Sequence, residues 1–86
     1  MAFIPFSNFV CRLTTPSCLL VIECDDENYC IEMLSENEYN VVCQEKDDFF
    51  TDITGLLEFM ENLENIKSVF IQDLDKDEKE TELYKR

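Results

Sequence analysis

The stretch CLLVIECDDENYCIEMLSENEYNVVCQ, residues 18–44, decides the fold. Residues 18–24 are almost unbroken in apolar side chains, the composition of a central strand. Asp25, Asp26, Glu27 and Asn28 form a polar tip, and residues 29–34 resume the apolar pattern. Residues 35–38 (SENE) make a second turn, followed by an apolar run over 39–44. Strands joined by four-residue polar loops form an antiparallel meander.

Outward from this core the period changes. Phe49, Ile53, Leu56, Leu57, Met60 and Leu63 fall at helical spacing and predict one amphipathic helix. Asp48 or Thr51 is the expected cap, Asn65 the expected stop, and Gly55 falls on the solvent side. The stripe is expected to pack on Leu20, Ile22, Ile31 and Val42 or their same-strand neighbours. Residues 8–13 read as a short first strand ended by Pro16, and residues 68–74 as the last strand. The expected class is α+β: a four- to five-stranded, mainly antiparallel sheet with one helix across a face, in the order β-β-β-β-α-β. Residues 1–74 make the domain. Residues 75–86 (DKDEKETELYKR), with alternating charge and i,i+4 pairs Asp75–Lys79 and Glu82–Arg86, read as a frayed tail or short helix.

Charge is the second message. Between Leu13 and Ile66 stand fourteen Asp and Glu residues and one basic residue, Lys46. The net charge is −13 over 86 residues, yet 45% hydrophobic and 12% aromatic content argue for a folded chain. Spread over a folded surface of roughly 5,300 Å², this is several-fold more dilute than the phosphates of DNA. Gathered on one face it approaches them. Followed strand by strand, the meander brings the 25–28 loop, the 45–48 segment and the chain after residue 73 to one end. Fifteen helical residues cover about 22 Å, the length of a seven-residue strand. The expected partner-binding rim is therefore Asp25, Asp26, Glu27, Glu45, Asp47, Asp48, Asp73 and Asp75, with Asp77 beside them. The helix N-terminus is placed at the same end, where its partial charge softens the repulsion.

Other chemistry is poorly represented. Without histidine there are no His-based triads and no His-containing zinc sites. The five cysteines lack a C-x-x-C knuckle and read as reduced, buried small hydrophobes. Residues 73–77 (DLDKD) imitate the start of a calcium loop, but Glu78 stands where Gly is needed and Tyr84 where the bidentate Glu belongs. A single Gly allows no Gly-rich phosphate loop, and the charge opposes direct nucleic-acid binding. Neither enzyme, cofactor nor metal is expected. The N-terminus lacks the features of a signal peptide, and no apolar run approaches a membrane span, so the expected location is the cytoplasm of the host cell.

Two functions fit. The first is an inhibitor whose acidic rim fills the basic nucleic-acid groove of another protein. Small acidic proteins of phages and mobile elements act in this way on CRISPR effectors, restriction enzymes and repair glycosylases, although no motif ties this chain to them. The second is an immunity- or antitoxin-like partner, or an adaptor, that binds a basic protein without imitating nucleic acid. The sheet edges, the Phe residues near Met1 and the tail are the surfaces open to a homodimer.

Overall fold

In the computed structural model, which describes residues 4–44, 47–75 and 79–86, these patterns resolve into two helices and six strands. They run α1 (Phe6–Val10), β1 (Cys18–Cys24), β2 (Asn28–Ser35), β3 (Glu38–Val42), β4 (Asp47–Phe50), α2 (Ile53–Glu61), β5 (Ile66–Asp73) and β6 (Lys79–Lys85). One sheet forms in the order β4-β3-β2-β1-β5-β6, and every neighbouring pair is antiparallel. The α+β class and the antiparallel meander are as the sequence indicates.

Three elements differ from expectation. Residues 6–10 are helical, because Phe6, Phe9, Val10 and Leu13 recur at i, i+3, i+4 and i+7 and bury one face. Asp47–Phe50 is an edge strand, so α2 starts later than the stripe suggested. Its cap is Asp52, whose carboxylate accepts from Gly55 N–H at 2.8 Å, and not Asp48 or Thr51. Lys79–Lys85 is a strand on β5, not a tail or helix.

β4 also sets the direction of everything after it. β4 descends from the end where the 25–28 turn lies, α2 climbs back, and β5 descends again beside β1. β4 and β5 thus run in the same direction, and such strands need a crossover, here α2.

All the buried apolar residues belong to one layer. Leu20, Ile22, Ile31, Val69, Leu56 and Met60 are fully enclosed. In β1 burial alternates strictly, with Cys18, Leu20, Ile22 and Cys24 beneath the helices. Ile53, Leu57 and Leu63 are half-buried around this core. Val42 is a correction: Ile31 pairs with Val41, which is buried, so Val42 points to the other face and is 38% exposed. Gly55 is also turned inward, since a Cβ there would lie 3.3 Å from the Phe50 ring. Asn65, the expected stop, takes a left-handed conformation (φ 60°) after the helix has ended at Asn62, and Asn37 (φ 67°) does the same in the β2–β3 turn.

Candidate functional site

The helices lie on one face of the sheet, and no described residue on the other face is buried. The register lays that open face out in rows. Phe70 of β5 stands beside Val21 of β1, Val21 beside Cys30 of β2, and Cys30 beside Val42 of β3. At one end of this apolar row stands Glu82 of β6, opposite Phe70. At the other stands Asp47 of β4, opposite Val42. The next row runs Gln72, Leu19, Glu32, Asn40 and Phe49, and Phe49 is 53% exposed. On the far side of the apolar row, Ser68 pairs with Glu23 and donates its hydroxyl to that carboxylate at 2.6 Å. Asn40 Nδ2 donates to Glu32 at 3.3 Å. The face is thus an apolar strip framed by Glu23, Glu32, Asp47, Glu80 and Glu82. Lys85, opposite Ser68, shares the face with them.

The strip runs into a groove of about 530 Å³ at the end of the sheet. Val21, Cys30 and Val42 line it, residues 25–28 rise beside it, and Lys67 also borders it. Two contacts fix the turn. Arg86 grips Asp25 with two nitrogens, at 2.9 and 3.2 Å, and Glu27 accepts from the Gln44 N–H at 3.1 Å. Burial raises the pKa of the Cys24 thiol, and Asp25, Asp26 and Glu27 raise it further. Burial followed by Glu32 does the same to Cys30. Both thiols are shifted away from the thiolate that nucleophilic chemistry needs. Cys11, Cys18, Cys24 and Cys30 are free thiols. No group of metal-ligating side chains is found among the described residues.

The acidic rim is only partly assembled. Asp25, Asp26, Glu27, Asp47 and Asp48 lie at the turn end. Asp73 and Asp75 lie at the opposite end, with Glu36 and Glu38, because β4 reverses the direction of the chain that follows. Glu45 and Asp77 fall outside the described residues. The helix N-terminus is at the far end too. The turn after α2 reaches the acidic end instead, where the Asn65 carbonyl accepts from Asp25 N–H. Nor is the rim without counter-charge, since β5 and β6 bring in Lys67, Lys85 and Arg86.

The Asp25–Arg86 pair carries a pH prediction. The Arg86 hydrogen bonds and charge hold the Asp25 carboxyl below its ordinary value. Its contribution to stability is therefore present above the unfolded value of about 3.9 and is lost as pH falls through the lower folded one. A carboxyl ¹³C titration should place the Asp25 midpoint below the ordinary aspartate value, and Arg86→Ala should restore it. An ordinary midpoint in the parent protein would show that the pair does not persist in solution.

Comparison with protein families, curated proteins and solved structures finds no match to this chain. Among the described residues no helix is long and apolar enough to cross a membrane.

Proposed function

We propose that this chain is a non-enzymatic binding protein directed at a basic surface of another protein. The observation that carries this reading is the open sheet face: an apolar strip framed by Glu23, Glu32, Asp47, Glu80 and Glu82, with Lys85 on the face and Lys67 at its groove. Such a face favours the immunity- or antitoxin-like or adaptor reading, because a phosphate backbone has no equivalent of an apolar strip. The nucleic-acid-mimic reading, an inhibitor of phage or mobile-element type acting in the host cytoplasm, draws support from Asp25, Asp26, Glu27, Asp47 and Asp48 at the turn end. It is weakened by the basic residues of β5 and β6 among them.

Charge reversal tests the proposal. Asp26→Lys with Glu27→Lys should slow association with the partner captured from the host by about tenfold at low salt, and less at high salt. Glu36→Lys with Asp75→Lys, at the far end, is the control and should have a smaller effect. A partner indifferent to both pairs would reduce the acidic surface to solubility. Displacement by DNA or RNA separates the two readings: competition supports the groove inhibitor, and its absence supports the alternative.

A further inference from the structure

We infer that the open sheet face is a docking surface for a protein element bearing an apolar ridge flanked by lysines and arginines. This rests on the proposed function and specifies which surface performs it. The ridge is set by the row Phe70–Val21–Cys30–Val42, which crosses β5, β1, β2 and β3. Three strand spacings make it about 14 Å long, equal to nine or ten residues of α-helix at ~1.5 Å each. An amphipathic helix lying across the strands therefore matches it.

The flanks are set by charge. Glu23 and Glu32 stand on either side of the row, and Glu82 and Asp47 at its two ends. A ridge that covers the row without cations beside it would partly desolvate these carboxylates with no positive charge to offset the loss of water, which is costly. Basic flanks would pair them.

The same charges argue against other occupants. A second copy would set these carboxylates against their own images, in a chain already at −13. Nucleic acid and anionic lipid are repelled for the same reason. Six strands of about six residues give a face on the order of 500 Å² in projection, against ~800 Å² per partner for a standard interface. Much of a stable contact fits on this surface, and the neighbouring groove extends it.

The probe is an 18-residue amphipathic helical peptide of Leu and Lys, titrated into the ¹⁵N-labelled full chain. The expected amide shifts centre on Val21, Cys30, Val42 and Phe70. A peptide with Gln in place of every Leu should bind at least tenfold more weakly, because the ridge is gone. Glu32→Lys with Glu82→Lys should weaken the Leu/Lys peptide about tenfold, and so should Val21→Asp, each with its fold confirmed by an unchanged NMR spectrum away from the substitution. Shifts confined to residues 25–28 and Asp47, or equal binding of both peptides, would overturn the docking face and leave the acidic-end reading of the function intact. Shifts on the row together with a captured partner indifferent to every charge reversal would instead uphold the face and overturn the proposed function.

Discussion

Replacing Met60 by alanine is expected to lower the unfolding free energy by about 2–5 kcal/mol. Met60 and Leu56 have no exposed surface and sit where α2 meets the sheet, so truncating either leaves a cavity lined by the core. Leu57 is half-buried on the flank of the same helix and should cost clearly less. An 86-residue domain has only about 4–13 kcal/mol in total, so the Met60 variant should be visibly weakened in urea. A loss below about 0.5 kcal/mol at Met60 with a larger one at Leu57 would mean that the helix is rotated from the described orientation.

Ending the chain at Asp75 should destabilise it by about 2–4 kcal/mol. β6 places Leu83 and Tyr84 against the core, each part-buried, and Arg86, the residue after it, donates its N–H to the Lys67 carbonyl at 2.7 Å. Residues 76–86 contain four basic and four acidic side chains, so their removal leaves the net charge at −13. Any loss therefore reports packing and pairing, not a change in overall repulsion. A truncated chain with an unchanged urea midpoint would show that Lys79–Lys85 does not pair with β5 in solution.

The middle of the fold was legible because its residues obey one rule at a time. Residues 18–44 alternate cleanly between apolar runs and polar turns, and Ile53 to Met60 keeps a helical stripe. The ends obey two rules at once. Phe9 and Val10 belong both to an apolar run and to a helical spacing with Phe6 and Leu13, and the spacing prevails because it buries all four. Phe49 fits the helical stripe by position, yet it faces outward from an edge strand and the stripe begins at Ile53. The Asp52 to Gly55 interval marks the true helix start, but nothing local announces that residues 47–50 pair with β3. That one unread strand displaced Asp73 and Asp75 to the opposite end and divided the rim. The unbroken apolar sequence of β1 marks a central strand, and helices on one face alone leave its Leu19 and Val21 in the uncovered layer.

The position of β1 also orders events in time. Its partner β2 follows after a short turn, but its other partner, β5, begins at Ile66. A chain emerging from the ribosome can close the first pairing long before the second, since β5 must be synthesised and carried back by α2. Until then the most apolar strand of the protein is an open edge, the kind of segment that recruits another chain into aggregates. Asp25 and Asp26 at its end, and Glu23 within it, act as gatekeepers during that interval. The charge that strains the finished molecule keeps unfinished copies apart.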